Sequence, residues 1–231
     1  PVTAQVVGAE PARAEIRGAD SQTMTLPGCG AVIVNAGQAG YYRVQYNDKM
    51  FNDIVSSFAQ LTAVDQLGLL KDAQALSYAN YASLNQFLAL VQQLPQDANP
   101  IIAEEVVGQL SGMASLYKDL PGEAGFKAWA LKKTQAMFSK VGWEKQQGES
   151  DNTSILRGSL IRVQAELGDQ AIITEARRRF AASLTDSSVL PGDLYSVVLG
   201  VVAANASQAD FEQIKALAAK SSNSTEKRRL L

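Results

Sequence analysis

Residues Val32–Tyr46 read VIVNAGQAGYYRVQY, and this stretch decides the fold because the sequence pattern changes within it and directly after it. The branched apolar run Val32–Val34 is followed by a small polar turn, Asn35–Gly40, and then by the aromatic segment Tyr41–Tyr46. Branched and aromatic residues on both sides of a glycine-containing turn are typical of a β-hairpin. We therefore predict that the two flanking segments pair as antiparallel strands.

Residues 1–46 as a whole predict a small antiparallel β unit. Short segments that favour extended structure alternate there with glycine and proline, which interrupt regular structure. The predicted strands are Val2–Val7, Ala12–Arg17, Met24–Leu26, Ala31–Asn35 and Tyr41–Tyr46. A sheet of this size with one modest apolar face is marginal by itself. We expect it to pack on the following helices or on protein outside this sequence.

From Asp48 onwards the apolar residues recur with the helical period of about 3.6 residues. Asn99 and Pro100 supply the start of a long helix, whose predicted inner stripe is Val106, Leu110, Met113, Tyr117 and Leu120. Roughly nine or ten such helices, joined by short turns, predict a succession of antiparallel helical hairpins. The predicted fold is therefore mainly α: a HEAT-like α-solenoid over residues 47–231, with units near 40 residues, preceded by the small β unit.

Length, composition and charge limit the possible partners. The chain has 231 residues, of which 46% are apolar, enough to bury a substantial core. Its net charge of -2 and pI of about 5.3 argue against a general electrostatic grip on nucleic acid or on anionic lipid. No uninterrupted apolar run approaches the roughly 20 residues that cross a bilayer. We expect a soluble protein without nucleic-acid or membrane partners, and the sequence leaves its compartment open.

The absence of histidine is the most decisive feature of the composition. It removes the commonest general base and the H-E-x-x-H zinc motif, and the single cysteine, Cys29, excludes thiolate metal clusters. Glu104 and Glu105 form the only adjacent acidic pair. They fall at the start of a predicted helix, where negative charge complements the helix dipole, so a metal site is the weaker interpretation. We predict no catalytic and no metal-ligating residue in this chain.

Two kinds of side chain remain as candidates for binding or pairing. Tyr117 falls on the inner stripe of the long helix and Lys118 lies beside it, so together they could present a phenol and an ammonium to the concave side of a solenoid. By composition alone, a packed Tyr117 and a surface Lys118 is the commoner arrangement. Arg43 and Arg157 lie among apolar neighbours, and we expect each to be paired in a structural role.

Five short motifs carry a resemblance to a known family. In chain order they are NAGQAGYYRVQY at 35–46, VDQLGLLKDAQAL at 64–76, VGW at 141–143, ILRGSLI at 155–161 and DFEQIKALAAKSSNSTEKRRLL at 210–231. Each motif alone is weakly specific. Together, in this order, they resemble the C-terminal half of the zinc aminopeptidases of the aminopeptidase N and puromycin-sensitive type.

The resemblance implies a fold and a role. Residues 1–46 would be the end of a β-sandwich domain, and residues 47–231 a superhelical domain truncated at its C-terminus, where Leu230 and Leu231 arrive without a stop signal. Zinc would belong to a missing catalytic domain of the same polypeptide, so this chain alone is expected to be inactive.

The chain would then act as the lid and wall of the substrate cavity, where Tyr117 and Lys118 would meet the peptide substrate. One alternative from another class stays open. It is a free-standing α-solenoid whose concave face binds a protein partner.

Overall fold

The computed structural model describes residues 1–16, 18, 21–190 and 192–230, without the side chains of Ser187, Glu226 and Arg229. The chain is mainly helical and begins with a small antiparallel sheet, as predicted. The strands are β1 Val2–Val6, β2 Ala12–Ala14 and β3 Val32–Val34. The helices are α1 Asp48–Ser57, α2 Ala63–Tyr78, α3 Leu84–Gln93, α4 Pro100–Leu116, α5 Glu123–Val141, α6 Asp151–Glu166, α7 Gln170–Ser183, α8 Gly192–Ala204, α9 Gln208–Lys220 and α10 Ser224–Leu230.

The sheet has the order β2-β1-β3, with both neighbouring pairs antiparallel. Thr3 lies opposite Arg13, and Gln5 lies opposite Ile33. Three of the five predicted strands are confirmed. The end of the second, at Arg17, lies outside the described residues.

The predicted hairpin partner Tyr41–Tyr46 is wrong, because this segment is irregular in the structure, as is Met24–Leu26. After β3 the chain turns away from the sheet at Asn35, whose φ is 62°. The Asn35 side chain holds this turn by accepting a hydrogen bond from Gly40 N (2.8 Å) and donating one to Gly40 O (3.0 Å). A short 3₁₀ turn, Ala36–Gln38, lies between them.

Side chains form hydrogen bonds with backbone groups of Val34 and Val44 that would otherwise pair with a neighbouring strand. The Tyr46 hydroxyl accepts a hydrogen bond from Val34 N (2.9 Å) and donates one to Val34 O (3.3 Å). Burial raises the pKa of Tyr46 to about 12, so its proton remains available for that donation. The N–H of Val44 donates to Asp72 Oδ2 at 3.0 Å. Because these groups are satisfied, the aromatic segment stays irregular and does not join the sheet.

Side-chain caps set the starts of several helices. Each capping side chain accepts a hydrogen bond from a backbone N–H of the first turn, which has no partner inside the helix. In the described residues, side-chain caps include Asn47 for α1, Thr62 for α2, Ser83 for α3, Ser150 for α6, Asp169 for α7 and Ser207 for α9.

The long helix α4 begins at Pro100, as predicted, but ends at Leu116, before the last two residues of its predicted inner stripe. Its predicted inner stripe is confirmed for the fully buried Val106, Leu110 and Met113. It is wrong for Tyr117 and Leu120, which lie beyond the helix, with Leu120 54% exposed. The chain reverses there because Asp119 adopts a left-handed conformation, with φ of 62°, and its N–H donates to Glu123 Oε2 at 2.8 Å.

The chain divides into two compact units, residues 1–102 and 103–231. In the first unit, α1 packs against β3 and α3, and α2 packs against α3. Its buried core includes Phe51, Ile54, Phe58, Leu70, Phe87, Leu90 and Val91. This division does not test the predicted β-sandwich boundary at residue 46, which stays a prediction.

In the second unit, successive helices pack as pairs: α5 on α6, α7 on α8 and α9 on α10. The prediction of helical hairpins is therefore confirmed. Buried apolar residues of α6, α7 and α8, together with Ile214, Ala218 and Leu230, form a continuous core. The predicted truncation at Leu231 lies outside the described residues. Among the described helices, none combines the length and apolar character needed to cross a membrane.

Candidate functional site

Helices α4, α6 and α8 lie side by side and run in the same direction. Ser159 Oγ donates to Glu104 Oε1 (3.2 Å) and Ser111 Oγ donates to Glu166 Oε2 (2.6 Å). Both bonds join residues 55 positions apart, as expected for two parallel helices in constant register. Their C-terminal ends therefore lie at one edge of the second unit.

Helices α6 and α8 are also neighbours, and they approach each other closely at Gly158 and Val197. A methyl group on Gly158 would lie 3.2 Å from Val197 Cγ2, a tight contact that a bulkier side chain could not make. Further along the same two helices, Arg162 and Ala165 line one cavity together with Gly200 and residues that follow it. These helices are thus also parallel and in close contact.

A small pocket opens where α4 ends, and we call it the α4-end pocket. Its volume is about 160 Å³. Its lining residues are Ser111, Ala114, Ser115, Lys118, Lys127 and Glu166. It therefore combines two ammonium groups with one carboxylate. The Lys127 ammonium is paired with Glu123, and this hydrogen bond lowers the pKa of the Glu123 carboxyl group.

The two predicted binding residues, Tyr117 and Lys118, lie just after α4 and have different environments. Lys118 lines the α4-end pocket, is exposed and forms no ion pair within the described part of the chain. The ring of Tyr117 instead stacks on Phe126, with ring centroids 5.1 Å apart and planes 8° apart. Trp129 extends this aromatic group, at 6.0 Å from Phe126. Tyr117 thus anchors the turn that carries Lys118.

A larger groove lies between α6 and α8, and sequence reasoning missed it. The α6–α8 groove has a volume of about 490 Å³. It is lined by Arg162, Ala165, Glu166, Ser196, Val197, Gly200, Val201, Ala204 and Asn205. The only signal in the sequence was the combination of small residues on α8 with opposite charges four positions apart on α6. That signal depends on knowing that the two helices are neighbours.

Arg157 is the paired structural arginine that the sequence predicted. Its side chain is 1% exposed and binds both carboxylate oxygens of Glu149, with Nη1 to Oε1 at 2.7 Å. Its Nε also donates to Gly142 O at 3.0 Å, and Nη2 to Glu144 O at 3.2 Å. The hydrogen bonds from Arg157 lower the pKa of Glu149 to about 2. Arg157 therefore fastens the loop before α6 to that helix.

Arg43 is also paired as expected, at 2.9 Å from Asp72 Oδ1. The same carboxylate accepts the hydrogen bond from Val44 N. Arg43 and Asp72 therefore fix the irregular segment Tyr41–Tyr46 to α2. Both arginines therefore have a structural role, and neither indicates a catalytic or binding site.

Comparison with known proteins identifies the family of this arrangement. Residues 31–231 match the ERAP1-like C-terminal domain. Aminopeptidase M1 of Arabidopsis thaliana is 28% identical over 212 residues, which is 88% of this chain and 24% of that protein. Tricorn protease-interacting factor F2 of Thermoplasma acidophilum is 27% identical over 155 residues, 67% of this chain and 19% of that protein.

Aminopeptidase N of Lactococcus lactis subsp. lactis is 24% identical over 174 residues, 74% of this chain and 20% of that protein. The chain thus spans a quarter or less of the length of these curated relatives. The domain match, in contrast, extends from β3 to the last residue of the sequence. The chain belongs to the family of ERAP1-like C-terminal domains found in M1 aminopeptidases of the aminopeptidase N type.

Proposed function

We propose that this chain is the C-terminal fragment of a zinc-dependent aminopeptidase that removes N-terminal residues from peptides. In this proposal it serves as the non-catalytic lid and wall of the substrate cavity. The observation that carries the proposal is the domain match over residues 31–231, in a chain that spans only 24% of its Arabidopsis relative. The remainder of such a protein would supply the catalytic domain as a partner in the same polypeptide.

Zinc, on which the M1 aminopeptidases depend, does not fit the residues of this chain. The chain contains no histidine, and the described residues contain no cluster of three His, Cys, Asp or Glu side chains that could hold a metal ion. A catalytic zinc site needs three protein ligands, most often including imidazoles. We therefore assign the zinc to the catalytic domain and derive no step of the hydrolysis from this chain.

The role of this chain is then to bind the part of the peptide that is not cleaved. Lys118 supports this role because its ammonium is exposed at the α4-end pocket and its neighbour Lys127 is already paired with Glu123. An exposed ammonium can form a charge-assisted hydrogen bond with the C-terminal carboxylate of a peptide. Tyr117, braced against Phe126, holds the turn in place and offers a phenol beside it.

Peptide binding to the chain tests this role. We would titrate the chain into a fluorescein-labelled decapeptide that ends either in a free carboxylate or in an amide, and measure fluorescence anisotropy. For Lys118→Gln we expect about a threefold to tenfold loss of affinity for the free acid and no change for the amide. The matched control is Lys215→Gln, since Lys215 is 65% exposed and lies on α9, away from the pocket.

The amide peptide makes this experiment decisive. Equal affinity of the acid and the amide, with no effect of Lys118→Gln, would refute carboxylate capture by the α4-end pocket. That result would favour the alternative role as a free-standing α-solenoid that binds a folded partner through a broader surface.

A further inference from the structure

The α6–α8 groove carries two opposite charges, one on Arg162 and one on Glu166. Arg162 and Glu166 both line it and both are exposed. Neither forms an ion pair with the other or with any residue in the described ranges. Glu166 is nevertheless held in position, because Ser111 Oγ donates a hydrogen bond to its Oε2 at 2.6 Å. The groove thus presents a free guanidinium and an oriented carboxylate.

Small apolar residues give the groove its depth between these charges. Ala165, Val197 and Val201 form its wall, and Gly200 leaves space that a larger side chain would fill. A methyl group on Gly200 would meet no atom within 4 Å. The volume of about 490 Å³ falls in the range of pockets that hold small organic ligands. An apolar ligand part can therefore be buried there.

We propose that the α6–α8 groove binds a dipeptide with apolar side chains as a zwitterion, with its carboxylate on Arg162 and its ammonium on Glu166. The four residues from Arg162 to Glu166 rise about 6 Å along the helix. The two ends of an extended dipeptide are separated by about 6 to 7 Å, at roughly 3.3 to 3.6 Å per residue. The axial spacing of the two residues therefore matches a dipeptide better than a single amino acid.

The charge order fixes the direction of the ligand, and Asn205 supplies a further contact. The dipeptide lies antiparallel to α6, with its N-terminus towards the C-terminal end of that helix. The Asn205 side-chain nitrogen donates to Val201 O at 2.9 Å, which turns its oxygen towards other donors. That oxygen accepts no hydrogen bond from the described residues. The register in which Gly158 faces Val197 places Asn205 level with Glu166, so the oxygen can accept a hydrogen bond from the dipeptide ammonium. This inference goes beyond the proposed function and needs neither Lys118 nor a catalytic domain.

Isothermal titration with L-leucyl-L-leucine tests the proposal on the chain itself. We expect saturable one-to-one binding that weakens about tenfold in Arg162→Gln and in Glu166→Gln. Arg178→Gln is the matched control, because Arg178 lies on α7 away from the groove and is 64% exposed. Leucyl-leucinamide and N-acetyl-leucyl-leucine, which each lack one charge, should bind about tenfold more weakly to the wild-type chain.

A substitution that fills the groove separates binding there from binding elsewhere. Gly200→Leu should abolish the heat of dipeptide binding, while Gly108→Leu on α4 should leave it unchanged. Both glycines are helical and open to solvent, so neither change is expected to unfold the chain. Binding of leucyl-leucine that survives Gly200→Leu would overturn the proposal. So would octanoate binding as tightly as the dipeptide, because octanoate has no ammonium for Glu166.

Discussion

Replacing Arg157 by methionine should be among the most damaging single changes in the second unit. The Arg157 and Glu149 side chains are 1% and 5% exposed, so the pair is desolvated. Arg157→Met would leave the Glu149 carboxylate buried without its cation. It would also leave the carbonyl oxygens of Gly142 and Glu144 without their donors. Among the residues that the structure describes, the remaining donors to Glu149 are Ser154 Oγ and Gln146 N, each at 3.1 Å.

Removing one partner of a buried ion pair typically costs about 3–5 kcal/mol, because the other charge stays buried. We expect Arg157→Met to lower the free energy of unfolding by that amount. Removing both charges in the double variant Arg157→Met, Glu149→Met should recover the part of the loss that comes from the buried charge, while the carbonyl oxygens of Gly142 and Glu144 still lack their donors. The control Arg178→Met breaks an exposed, solvent-screened pair with Glu175 and should destabilise the chain much less.

Urea denaturation followed by far-ultraviolet circular dichroism measures these free energies, with the slope of each curve checked for constancy. A loss below about 1 kcal/mol for Arg157→Met would refute the reasoning, because surface pairs already account for that much. A double variant that is no more stable than Arg157→Met would also refute it.

The same pair predicts a dependence of stability on pH. Hydrogen bonds from Arg157 hold the pKa of Glu149 at about 2, below its ordinary value of 4.5. The unfolded state therefore binds more protons than the native state between these values, so stability rises with pH there. The stabilising contribution of Glu149 is fully present above about pH 5 and is lost as the pH falls towards 2. In Arg157→Met this part of the acid dependence should disappear.

Two further comparisons use the same urea assay. Tyr46→Phe should lower the free energy of unfolding by about 1 kcal/mol, because the hydrogen bonds with Val34 are lost. Tyr42→Phe should change it by less than about 0.5 kcal/mol, because the buried Tyr42 hydroxyl has no partner in the described residues. Leu110→Ala should cost about 2–5 kcal/mol because Leu110 is completely buried, and Leu116→Ala, at 66% exposure, less than about 0.5 kcal/mol. A reversed order within either pair would contradict the burial and bonding described here.

The helical part of the fold was predictable because its signals are local. Helix α4 begins at Pro100, where Asn99 and Pro100 predicted it, and the caps at Asn47 and Thr62 are side chains that stand next to the turns they satisfy. The pairing of Tyr41–Tyr46 as a strand was wrong for the opposite reason. Its backbone is satisfied by Asp72, which lies 28 residues further along the chain. No local pattern carries that information.

The candidate sites divide in the same way. The sequence indicated that Arg157 would be paired. It did not indicate the partner, because Glu149 lies in an irregular loop whose conformation has no regular sequence pattern. The sequence placed Tyr117 on the inner stripe of α4 and Lys118 beside it, yet α4 ends before both residues. The Tyr117 ring stacks on Phe126, whereas Lys118 lines the α4-end pocket. The α6–α8 groove needs the contact between Gly158 and Val197 on different helices, so only the packed structure reveals it.

The central claim is that this chain contributes a wall for peptide binding and that the reactive zinc centre belongs to another domain. The most direct measurement is hydrolysis of leucyl-aminomethylcoumarin by the purified chain with added zinc, beside the same reaction with a chelator. We expect no turnover above the rate without protein, since the chain has no histidine. Turnover that copurifies with the chain and disappears with the chelator would contradict the claim.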